Sequence, residues 1–194
     1  MNRTKKGNLA RNGLIGALFL IHFIFLLIIL IEFKAPFYIL IFIAALLFIV
    51  LFSYLKSPLH IEGFDYDSWK LVMWVPAGAL IAFALNTEMG LGPVLGGSVT
   101  GFAASFIPAI NKRSAYLSRL PEVLYCGAFV GMSSPDVANG FTFVTIASLI
   151  TAFFLMFSRN ILHGVGGKLG TLAFTGVVIA SVIYQLWNIW SFWY

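Results

Sequence analysis

Long apolar runs follow one another from Leu14 to Trp190, and nearly all the charged residues lie in the short stretches between them. This succession constrains the fold more than any motif does. Inside a bilayer no water is at hand to bond a free peptide group, so each run long enough to cross the hydrocarbon core is read as an α-helix that closes its own backbone hydrogen bonds. Composition agrees: 60% apolar residues, 10% charged residues and a mean hydropathy of +0.96 lie far outside soluble usage. The net charge of +5 would point to nucleic acid in a soluble protein. Here the basic residues sit in short loops, where they orient helices, so no nucleic-acid partner is expected and the bilayer is the first partner.

Counting the runs gives an all-α integral membrane protein with seven spans: Leu14–Ile31, Pro36–Leu55, Lys70–Asn86, Leu91–Ile110, Pro121–Ser133, Asn139–Phe157 and Leu169–Trp190. Residues 1–13 form a basic cytoplasmic N-terminus and 14–194 a single transmembrane domain. The apolar run behind Met1-Asn-Arg-Thr-Lys-Lys is too long for a signal peptide and lacks a small-x-small cleavage pattern, so it reads as an uncleaved first helix. Span five is short enough to be a re-entrant hairpin. Charge decides between the two readings. If it crosses, Arg3, Lys5, Lys6, Arg11, Lys56, Lys70, Lys112, Arg113, Arg119, Arg159 and Lys168 share the cytoplasmic side and only Lys34 lies outside. That threading puts the N-terminus inside and the C-terminus outside. Trp187, Trp190, Trp193 and Tyr194 then anchor the outer interface, with Trp69 and Trp74 at the inner one.

Spans one and two are bulky on nearly every face and are expected at the periphery. Spans four, five and seven carry small residues four apart, at Gly92/Gly96, Gly97/Gly101, Gly127/Gly131 and Gly166/Gly170, and are expected at the centre. Two glycine-rich segments match each other. Gly90-Leu-Gly92, Leu95-Gly96 and Thr100-Gly101 are answered by Gly164-Val-Gly166, Leu169-Gly170 and Thr175-Gly176, with one residue inserted before the last element. With an odd number of crossings in each unit, residues 36–110 and 121–190 become inverted-topology repeats behind one added helix, a 1+3+3 construction common in transporters.

A glycine-rich turn opening a helix exposes N–H groups at its positive end, which suits a polar or anionic solute. Gly90, Gly92, Gly96, Gly164, Gly166, Gly167, Lys168 and Gly170 are therefore the candidate transport pathway, with His22, Ser133 and Ser134 as candidate polar lining. Neither segment has the context of a nucleotide-binding loop. Cys126 is the only cysteine, and His22, His60 and His163 show no metal-ligand spacing, so no metal and no cofactor is expected. His22 is expected to bond a neighbouring helix. Every carboxylate is expected in a loop or at a span end, which disfavours proton coupling and points to a passive channel or uniporter for a small polar or anionic solute. Two other classes remain. A scaffold or assembly subunit, including a homo-oligomer, would use the same small-residue faces to dock helices. A membrane-embedded enzyme would need Cys126 or Ser133 to meet His22 or His163.

Overall fold

The structure, a computed structural model, describes residues 13, 15–27, 36–56, 66–159 and 167–192, and all the regular structure among them is α-helical. The chain divides into two compact units, 1–64 with 160–166, and 65–159 with 167–194. In the first, α1 runs Ile15–Leu27 and α2 Phe37–Lys56. Both present large apolar side chains outward, among them Phe23, Phe42, Phe48 and Ile49, as a lipid solvent permits. Spans one and two thus appear as helices.

The second unit holds α3 (Trp69–Val72), α4 (Trp74–Thr87), α5 (Gly92–Ser105), α6 (Ile107–Ile110), α7 (Ala115–Gly131), α8 (Gly140–Phe157) and α9 (Lys168–Phe192). Prolines explain the short pieces. Pro76 has no N–H for the carbonyl of Val72, and the helix is interrupted at Met73; Pro108 likewise has none for the carbonyl of Ala104, and the helix is interrupted at Phe106. Read through those breaks, four segments are long and apolar enough to cross a membrane: Trp69–Thr87, Gly92–Ile110, Gly140–Phe157 and Lys168–Trp187. They coincide with spans three, four, six and seven to within a few residues. The chain is a helical membrane protein.

Span five differs from its expected bounds. The helix starts six residues before Pro121, at Ala115, where the Ser114 hydroxyl accepts from the N–H of Leu117 and caps the first turn. Proline suits a first turn so well that Pro121 was the natural place to begin from sequence; here it sits inside the helix instead. Glu122 consequently lies within α7, one turn beyond Arg119, and not at a span end. At 17 residues α7 is about 26 Å long, close to the ~30 Å of a hydrocarbon core.

The seam between α4 and α7 is the closest in the bundle. The two helices run parallel, and a Cβ at Gly78 would strike the carbonyl of Leu124, one at Gly127 the carbonyl of Val75, and one at Gly131 the carbonyl of Ala79. Backbone meets backbone along three turns, close enough for Cα–H···O contacts. At the far end the Asn86 amide donates to the carbonyls of Gly131 (3.3 Å) and Ser133 (3.1 Å), serving carbonyls that α7 leaves unpaired where it stops. The adjoining core is built largely of alanine (Ala79, Ala138, Ala147, Ala173, Ala180) with Phe83 and Phe143 between, so helices approach without voids.

The arrangement of centre and rim departs from the expected one. Span three is the most enclosed of the four crossing segments, at 44% buried, whereas span four is the least, at 22%. On α5 only the side bearing Gly96, Gly97 and Gly101 is packed, against α4, Met132 and Tyr125, while Val94, Leu95, Phe102 and Phe106 point outward. Gly170 meets nothing within 4 Å, and Gly176 is the glycine that brings α9 against Ala147 and Thr151 of α8. Glycine in a membrane helix marks one close face, and the other faces remain free to meet lipid.

Candidate functional site

The direction of the helices sorts the charges to the two ends of this unit. The N–H of Asp67 donates to the carbonyl of Met156 at 3.0 Å, joining the start of α3 to the end of α8. Lys168, opening α9, donates from Nζ to the carbonyl of Arg159 at 3.4 Å. Since α5 returns antiparallel to α7, Lys112 and Arg113 fall at the same end. All six described Lys and Arg residues of the unit, Lys70, Lys112, Arg113, Arg119, Arg159 and Lys168, therefore belong to one end, while Glu88 and Asp136 belong to the other.

At the basic end four elements converge. Asp67 is 6% exposed, and its Oδ1 accepts from Nη1 of Arg119 at 2.5 Å, with Nε of Arg159 at 3.9 Å from the same oxygen. Arg159 also reaches the carbonyl of Tyr66 through Nη1, at 3.4 Å. Asp67 and Glu122 both attract the Lys168 ammonium, and Arg119 repels it. Three cations against two carboxylates leave the cluster with one positive charge in excess, held at a water-facing helix end. Beside it the Trp74 indole donates to the Tyr116 hydroxyl (2.8 Å), which donates to the carbonyl of Lys70 (3.1 Å), an arrangement suited to an interface that is apolar on one side and wet on the other.

The residues singled out from sequence divide between the two ends. Gly90 (φ +63°) and Gly92 (φ +78°) form the turn into α5 at the acidic end, in a left-handed backbone that glycine adopts without cost, and Gly96 packs on Ala82 and Asn86. Gly167 (φ +95°), Lys168 and Gly170 lie at the basic end. The described parts of the two segments thus lie at opposite ends, where α5 and α9 each pack on α7. Gly164, Gly166 and His163 lie outside the described residues. The Ser133 hydroxyl, just past the end of α7, donates to the carbonyl of Val130 in the last turn of that helix, and Ser134 forms a small turn with Asp136. Cys126 is buried, with its sulfur 3.7 Å from the carbonyl of Leu169. His22 bonds the carbonyl of Leu18 one turn earlier in its own helix, at 2.7 Å.

Sequence reasoning singles out Lys168 and passes over its companions as a group. Asp67 and Arg119 are 52 residues apart, and no local spacing pairs them. The available signal was that each closes or opens a span on the same side. Two clefts open among the described residues of this unit. One, of about 440 Å³ between α5 and α7, is lined by Ser98, Gly101, Phe102, Glu122 and Tyr125; the other, of about 620 Å³, opens at the acidic end. Comparison with protein-family models, with characterised proteins and with solved structures yields no match.

Proposed function

We propose that the chain crosses the membrane seven times, with its N-terminus and the basic end in the cytoplasm and its C-terminus outside, and that it is a passive route, a uniporter or channel, for a small polar or anionic solute. The observation that carries this reading is the convergence of Arg119, Arg159 and Lys168 around one buried carboxylate at the mouth of the bundle. An excess of positive charge there raises the local concentration of an anion. The pairs α4/α5 and α8/α9 add support for the inverted repeat. Each is antiparallel and clasped by a glycine, Gly96 or Gly176, and the second pair runs opposite to the first. With the α4–α7 seam packed between the two clefts, movement of one pair against the other is the natural route to alternating access, which favours the uniporter.

Flux into liposomes tests the function. The purified chain should conduct at least one small anion or polar solute down its own gradient, and collapse of a proton gradient should leave the rate unchanged. Lys168→Ala should lower anion flux roughly threefold to tenfold at low salt and less at high salt, with thermal stability kept. Lys168 is a cleaner probe than Gly92, whose positive φ makes any substitution a backbone strain as well. A chain that conducts nothing across a broad solute panel would be better read as an assembly subunit.

Topology is tested separately. In a Cys126→Ala background, single cysteines at Lys112 and Arg159 should both react with an impermeant maleimide only from the cytoplasmic side. Labelling of the Arg159 position from outside would overturn the seven-span arrangement.

A further inference from the structure

We propose that the cleft at the acidic end is a binding site for a small organic ammonium ion. Its volume of about 620 Å³ is within the range of small-molecule sites, roughly 300 to 1,000 Å³. It lies among α4, α8 and α9. Phe83, 3% exposed, gives it a buried aromatic wall, and Phe141, 42% exposed, meets that ring edge to face with centroids 5.2 Å apart. Tyr184 of α9 adds a third aromatic surface and is itself set edge-on to Phe143 at 6.3 Å. Aromatic faces are negative, and a cation that has shed part of its water is attracted to them.

Glu88 is the only charged side chain among the described residues that line the cleft, whose polar lining also includes Asn139 at the N-terminus of α8. Glu88 lines it from the C-cap of α4, where the partial negative charge of the helix end adds to that of the carboxylate. No Lys or Arg among the described residues of this unit lies at that end. The Thr87 hydroxyl spends its proton on the carbonyl of Phe83 at 2.8 Å, so what it has left to offer is an acceptor. An anion entering the cleft would meet the Glu88 carboxylate with no basic side chain beside it, and an apolar molecule would strip water from that carboxylate with nothing in return. A compact cation carrying methyl or methylene groups satisfies both the carboxylate and the rings. This inference stands apart from the proposed solute route, because it concerns equilibrium binding at the other end of the bundle.

Calorimetric titration of the full chain in maltoside micelles at low salt tests it, with choline chloride as the probe and dimethylbutanol, the uncharged carbon isostere, as its control. Choline should bind saturably and at least about tenfold more tightly than the isostere. Glu88→Gln should weaken choline about tenfold with unchanged thermal stability, since Glu88 is exposed, and Phe141→Leu about fivefold with a small fall in melting temperature from the lost ring contact to Phe83. Equal binding of choline and its isostere, absence of saturable choline binding, or affinity unchanged in both variants would each overturn the proposal, whatever the outcome of the flux experiments.

Discussion

Leucine in place of Gly127 or Gly131 should abolish the folded bundle, while leucine in place of Gly170 should be tolerated. At Gly127 even a Cβ would collide with the carbonyl of Val75 and come within 2.9 Å of the amide nitrogen of Ala79; at Gly131 it would meet the carbonyl of Ala79 and lie 2.8 Å from the Cβ of Ala82. These obstacles are mostly backbone and cannot swing aside as a side chain can. Two helices would have to separate along their whole parallel seam, losing dispersion contacts and Cα–H···O contacts together. The cost should exceed about 3 kcal/mol, at or above the usual range for overpacked cores. Gly97→Leu should be intermediate, because the atom in its way is the sulfur of the flexible Met132 side chain, at 2.6 Å. Ile41→Ala, on an outward face of α2, should be mild. Melting temperature and monodisperse yield in detergent measure all five variants. If Gly127→Leu and Gly170→Leu melt alike, the α4–α7 seam is not what holds the unit together.

The second large effect is expected at the ion cluster, and it is asymmetric. Arg119→Met leaves the Asp67 carboxylate buried with Arg159, 3.9 Å away and half exposed, and the Lys168 ammonium to compensate it. The loss should be roughly 2 to 4 kcal/mol, at the lower side of what a stranded buried charge costs because Arg159 remains. Asp67→Asn should cost less, about 1 kcal/mol, since it removes the charge that needed a partner and frees Arg119, itself one-third exposed, to turn to water. The double variant should recover most of the difference. A thermal-unfolding cycle over the four proteins reads this directly. Equal losses for the two single variants would mean that Asp67 is solvated and the cluster is a loose surface group.

Much of the architecture was legible in the sequence for a definite reason: a bilayer penalises every unpaired peptide group, so apolar length alone dictates helices over 69–87, 92–110, 140–157 and 168–187. The distribution of Lys and Arg likewise separated the two ends of the second unit before any coordinate was known, because charge must stay at the water boundary wherever the helices pack. Hydropathy could not tell lipid from protein. An apolar side chain is equally content against an acyl chain or another helix, so the outward faces of α5 and the enclosed position of α4 left no trace in composition. The glycines named the close faces and not their partners; that Gly127 meets Val75 and Gly170 meets nothing is settled only when helices are set side by side. The same holds for Asp67, Arg119, Arg159 and Lys168. Each is an ordinary loop or helix-end residue by itself, and only the parallel course of α4 and α7, with α8 returning and α9 setting out beside them, brings the four to one place.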